Sequence, residues 1–126
     1  MVNIIIAGSR TFDNYECLKK KVLNFIGEKQ IELSNICIIS GTARGADKMG
    51  ENFAKELNLK LKCFPADWDK YGKQAGFLRN TKMANYAIED DNQGILIAFW
   101  DGKSSGTKHM IEIAKKKELE VKIFVI

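Results

Sequence analysis

Five short runs rich in β-branched and aliphatic residues alternate strictly with stretches of helical periodicity along the chain. They are Val2 to Ala7, Ile36 to Ser40, Leu61 to Phe64, Ile95 to Trp100 and Val121 to Ile126. This alternation constrains the fold more than any other feature, because strands separated by helices join in parallel through crossover connections. The runs are apolar at nearly every position rather than at every second one, the pattern of strands covered on both faces. Between them, Leu18, Val22, Phe25 and Ile26 form one helical stripe, with Asp13 and Glu16 spaced as a capping box. Ala46, Met49, Phe53, Ala54 and Leu57 form a second, Phe77, Ala84, Ala87 and Ile88 a third, and Met110, Ile113 and Ala114 a fourth. The expectation is an α/β, three-layer doubly wound fold: a five-stranded parallel sheet with helices on both faces. Right-handed crossovers put the loops leaving the C-terminal strand ends on one edge, and ligands gather where strand order reverses. For the order 3-2-1-4-5, that reversal lies between the first and fourth strands.

A chain of 126 residues with 45% apolar composition has material for one ordinary core, so residues 1–126 are read as a single domain. Twenty basic against sixteen acidic side chains leave a net charge of +4, well short of a dedicated nucleic-acid binder. A small anionic ligand is expected in preference to a polyanion. The lysine runs 19–21 and 115–117 read as solvated helix faces. Cys17, Cys37 and Cys63 are odd in number and lie among apolar residues, so they match neither a disulfide framework nor zinc-ligand spacing. They read as buried thiols in a reducing compartment. The N-terminus has no basic leader or cleavage site, and no apolar run approaches the roughly 20 residues that span a bilayer. A cytoplasmic location without membrane contact is expected. The single histidine, His109, has no ligand-spaced partner, so neither a metal nor a cofactor is expected.

The strand-to-helix loops carry the chemistry. After the first strand come Gly8, Ser9 and Arg10: a glycine that admits close approach, a hydroxyl, and a guanidinium able to fork onto a phosphate. The same residues also suit a tight turn with a surface arginine. After the second strand, Gly41, Thr42, Arg44, Gly45 and Asp47 lead into a helix whose first turn favours an anion, although neither a Walker A loop nor a strict dinucleotide fingerprint is present. Asp47 fits either a ribose hydroxyl or the helix dipole. After the fourth strand, Asp101, Gly102, Lys103, Ser104, Ser105, Gly106 and Thr107 read as a cradle for one phosphate, with the next helix starting at about Thr107. The alternative there is a polar turn with Thr107 as N-cap. The third connection, 65–76, is long and aromatic and reads as a wall or lid. In it Trp68 or Tyr71 either stacks on a base or anchors the loop, and Arg79 and Asn80 follow on the helix beyond.

Several motifs are familiar together: Ala-Gly-Ser-Arg-Thr-Phe at 7–12, Ser-Gly-Thr-Ala-Arg-Gly-Ala-Asp at 40–47 and Pro-Ala-Asp-Trp-Asp-Lys-Tyr-Gly-Lys at 65–73. To these are added Ala-Gly-Phe-Leu-Arg-Asn at 75–80, Ala-Phe-Trp-Asp-Gly at 98–102 and Ser-Gly-Thr at 105–107. Over essentially its whole length the chain resembles the small bacterial and phage proteins of the SLOG superfamily. This Rossmann-like group also holds the DNA-processing protein A-like, molybdenum-cofactor-carrier-like and lonely-guy proteins. The resemblance implies a binding site for a nucleotide or nucleotide derivative. Lonely-guy enzymes release a base from nucleoside monophosphates, using an Arg-x-x-x-Met helical motif and glutamates after a Pro-Gly-Gly-x-Gly-Thr loop. Arg79 with Met83 matches the first motif, and Gly106-Thr107 the end of the second. Lys103 and Ser104 replace the glycine pair, His109 and Met110 stand where the glutamates belong, and Glu112 lies a helical turn too far on.

The leading expectation is therefore a module that binds a nucleotide or nucleotide-derived signal, such as an ADP-ribose-like molecule, as sensor or sequestering protein. The second is a nucleoside-phosphate N-glycosidase or phosphoribohydrolase, with Arg79 assisting departure and Asp47, Asp67 or Asp101 supplying the carboxylate. The third is a DNA-associated accessory protein. A homodimer is expected from the aromatic loop and the resemblance.

Overall fold

The computed structural model describes residues 1–126. Five strands, β1 (Val2–Gly8), β2 (Ile36–Ser40), β3 (Lys60–Cys63), β4 (Gln93–Trp100) and β5 (Glu120–Val125), form one sheet in the order β3-β2-β1-β4-β5. Every pairing is parallel. The longest register joins β1 to β4, from Val2 opposite Gln93 to Gly8 opposite Phe99, so the order reverses at the centre of the sheet as expected.

Five α-helices cover the sheet: α1 (Tyr15–Glu28), α2 (Ala46–Glu56), the single turn α3 (Trp68–Tyr71), α4 (Ala75–Ala87) and α5 (Ser105–Lys116). Because successive strand residues point to opposite faces, Ile4 and Ile6 pack beneath α1 and α2 with Leu18, Val22 and Phe53. Ile5 and Ala7 pack on the other side with Met83, Ala84, Met110 and Ala114 of α4 and α5. Ile4, Ile5 and Ile6 are wholly buried, each contributing roughly 1.5–3 kcal/mol of transfer free energy. The polar Asn3 is buried among them, and its amide donates to the carbonyl of Ala87 at 3.0 Å, which closes the end of α4.

The structure corrects several local expectations. The cap of α1 is Asn14, whose side chain accepts from the Cys17 amide at 3.0 Å, so the Asp13–Glu16 pair makes no capping box. Helix α5 begins at Ser105 behind an N-cap at Ser104, two residues before Thr107. Phe77 and Ile88 are exposed, and the buried face of α4 runs through Ala75, Asn80, Met83, Ala84 and Ala87. Of the cysteines only Cys37 is buried; Cys63 ends the edge strand β3 and is exposed. No helix is long and apolar enough to cross a membrane.

Candidate functional site

The loops after β1, β2 and β4 meet at the C-terminal edge of the sheet, where two of them are packed main chain against main chain. Gly45 holds φ +82° and ψ −130°, and a Cβ there would strike the Ser9 carbonyl and stand 2.7 Å from the Arg10 Cα. Only glycine meets both demands. The Ala46 amide donates to the Ser9 carbonyl at 3.4 Å, which fixes the start of α2 beside Arg10. Ser9 is buried; its hydroxyl accepts from the Asp101 amide at 3.2 Å and ties the β1 loop to the β4 loop.

Arg79 crosses from α4 to the β2 loop. Its Nη1 donates to the Gly41 carbonyl and its Nε to Asn80 Oδ1 at 3.0 Å. A Cβ on Gly41 would stand 2.7 Å from Arg79 Nη1 and 2.9 Å from Asp47 Oδ2, so this glycine leaves room for the guanidinium and the carboxylate alike. Asn80 is buried, and its amide nitrogen lies 3.2 Å from both the Gly106 carbonyl and His109 Nδ1, which locks α4 to the first turn of α5. The His109 ring lies against Phe77 with centroids 4.4 Å apart, and burial lowers its pKa.

Asp47 is 5% exposed and accepts from the Ala43 amide at 3.2 Å. Its pKa is pushed up to about 6: burial penalises the charged form more than Arg79 and the backbone donors favour it. Burial lowers the Arg79 pKa against the opposing pull of the Asp47 carboxylate, and the charge of Arg10 acts in the same sense as burial. Beside them, Ser40 is wholly buried and donates to Glu51 Oε2 at 2.7 Å, while its oxygen accepts from the Thr42 amide at 3.0 Å.

In the β4 loop the Asp101 carboxylate accepts from the Lys103 and Ser104 amides, both at 2.8 Å, and these bonds lower its pKa. Ser104 Oγ caps α5 by accepting from the Thr107 amide at 3.4 Å. Two amides that the sequence offers to a phosphate are thus engaged by the chain's own carboxylate. Ser104, Ser105 and Gly106 face the cleft, and beyond its own helical turn nothing lies within 4 Å of where a Gly106 Cβ would stand.

The cleft consists of adjoining hollows that share Arg10 and Arg79. One of about 640 Å³ is bordered by Gly41, Thr42, Arg44 and Trp68. Another of about 310 Å³ is bordered by Trp68, Lys73, Gly76, Asn80 and Ser104 to Gly106. Below them a recess of about 60 Å³ reaches Gly8, Asp47, Met83, Thr107 and Met110. Of the residues singled out in the sequence, Ser9, Gly45, Asp101, Gly102 and Lys103 do not border these hollows; the first three brace the loops. Asp67 caps α3 by accepting from the Lys70 amide at 3.1 Å and borders a separate hollow with Lys62, Tyr71 and Lys82. Lys73 and Gly76 border the cleft from within the 65–76 connection read as its wall, though neither was singled out, and Phe77, read as part of a helix stripe, was missed; a glycine in the first turn of a helix, where it lowers helix propensity, was the available signal. No three His, Cys, Asp or Glu side chains are placed to hold a metal ion.

A doubly wound parallel sheet with a cationic cleft at its switch point defines the chain as a Rossmann-like α/β protein. Residues 2–71, more than half of the chain, match the model of the YspA, cpYpsA-related SLOG family, and the chain belongs to that family. Membership points to a nucleotide-related function and names no ligand. The chain is also 28% identical over 126 residues to the Gene 61 protein of Mycobacterium phage D29, covering 96% of this chain and 94% of that protein. No solved structure matches it.

Proposed function

We propose that the cleft binds a nucleotide or nucleotide-derived small molecule of the ADP-ribose type, through its phosphate, and that the protein acts as a sensor or sequestering module. One observation carries this reading: Arg10, Arg44 and Arg79 border one cleft, none forms an ion pair, and the one carboxylate beside them, the buried Asp47 next to Arg79, is set against three guanidinium groups. The ion pairs of the chain, Lys19–Glu56, Lys29–Glu120 and Lys48–Glu51, all lie elsewhere. Guanidinium groups gathered with one carboxylate among three repel one another, and a bound phosphate relieves that repulsion with bidentate hydrogen bonds. Thermal shift against a panel of nucleotides, including cyclic and ADP-ribose derivatives, tests the reading. A ligand at a hundred times its Kd stabilises the fold by about 2.7 kcal/mol. Arg10→Ala and Arg79→Ala abolish the shift while the apo proteins stay folded; a panel without effect at millimolar concentration refutes the reading.

A second reading, N-glycosidic hydrolysis of a nucleoside phosphate, is favoured by Asp47. A carboxyl with its pKa raised to about 6, in the recess that Arg79 borders, is poised near neutral pH for proton transfer.

A further inference from the structure

Trp68 alone among the aromatic side chains borders both of the larger hollows. It is 50% exposed, whereas a tryptophan whose task is to anchor a loop buries most of its ring. Its position depends on Gly76. A Cβ added to Gly76 would stand 3.3 Å from Trp68 Cη2 and 3.8 Å from Arg79 Nη2, so the indole and the guanidinium flank one point on the first turn of α4. Gly76 does not adopt the left-handed conformation that demands glycine. Its presence weakens the helix, and what it provides is room for the indole. A half-exposed indole that borders the same two hollows as Arg10 and Arg79 matches a ligand with a flat heteroaromatic ring attached to an anion.

We propose that Trp68, seated on Gly76, is the platform on which the nucleobase of the ligand stacks, so that the site distinguishes a nucleotide from the corresponding sugar phosphate. This rests on the reading of the cleft as a nucleotide site and assigns its two halves: phosphate to Arg10 and Arg79, base to Trp68. Gly76 is a positioning residue, since it acts only through the indole.

Calorimetric titration with AMP and with ribose 5-phosphate, which differ by the base alone, tests the assignment. Trp68→Ala weakens AMP by roughly 5- to 150-fold, the range of one base–aromatic stack, and leaves ribose 5-phosphate within about twofold. Trp68→Phe restores most of the AMP affinity, and the quenching of tryptophan fluorescence that AMP causes in the wild-type protein is lost in this variant. Gly76→Ala raises the melting temperature through helix propensity while weakening AMP, a pair of opposite effects that a purely structural glycine does not produce. Equal losses for AMP and ribose 5-phosphate in Trp68→Ala, or none for either, overturn the platform and leave the anion site standing. Failure of the wild-type protein to bind either compound or any other nucleotide removes both readings together.

Discussion

Replacing Asp47 by asparagine should stabilise the protein at neutral pH, although it removes a charge from beside Arg79. Asp47 has its carboxyl pKa raised from 3.8 to about 6 in the folded chain, with burial as the largest cause and Arg79 opposing it. The native state therefore holds the proton more tightly than the unfolded chain does. Between about pH 4 and pH 6 the folded protein binds more protons, so stability falls as pH rises, at up to 1.36 kcal/mol per unit. Above about pH 6 both states are ionised, and the whole difference, about 3 kcal/mol, is a standing cost of the buried charge. Asparagine keeps an oxygen to accept the Ala43 amide and carries no charge to desolvate. Its own amide hydrogens need partners, which brings the expected gain to about 1–3 kcal/mol, or about 4 °C in Tm per kcal/mol at this chain length. Urea denaturation of both proteins from pH 4 to pH 8 is the assay. The gain should be absent near pH 4, grow through pH 5–6 and level off above. A variant less stable at pH 7, or a difference independent of pH, would show that Arg79 outweighs burial and would refute the argument.

Gly45→Ala should lower stability by about 1–3 kcal/mol from backbone strain alone, with the collision against Ser9 and Arg10 added to it; a shift of the urea midpoint at unchanged slope checks it, and an unchanged midpoint means the two loops can part freely. Overnight incubation with nucleoside monophosphates, followed by chromatography, should yield free base slowly or not at all, since loss of a positioned carboxylate commonly costs a factor of ~10²–10⁴. Turnover near one per second that disappears in Asp47→Asn would instead make Asp47 the catalytic carboxylate and promote the hydrolytic reading.

The centre of the fold was legible because its residues face one environment. Ile4, Ile5, Ile6, Ile38, Ile39, Ile95, Leu96 and Ile97 are all wholly buried, so an apolar run there could only be a strand covered on both faces. At the sheet edges the same logic weakens: β3 opens on the exposed Lys60 and β5 on Glu120, polar residues that composition assigns to the preceding loops. Phe77 misled for a related reason. Helical spacing reports that an apolar residue lies on a face of α4 but not what covers that face, and this ring leans on His109 at the cleft rim instead of entering the core.

The site was legible as a set of loops and illegible as a set of partners. A sequence names donors and acceptors without saying which already satisfy one another. Asp101 looks like a free carboxylate in a phosphate cradle, yet it is spent on the Lys103 and Ser104 amides, and Ser9 is spent in turn on the Asp101 amide. The arginines present the opposite case. With sixteen acidic residues in the chain, nothing in their order tells that Lys19, Lys29 and Lys48 form ion pairs while Arg10, Arg44 and Arg79 form none. What remains after the ion pairs are counted is three guanidinium groups with the single buried carboxyl of Asp47 among them, and one half-exposed indole, gathered where the strand order reverses. A fold held together by its apolar core has no need of these groups at its edge, and they are what the proposed ligand, with its phosphate and its base, would engage.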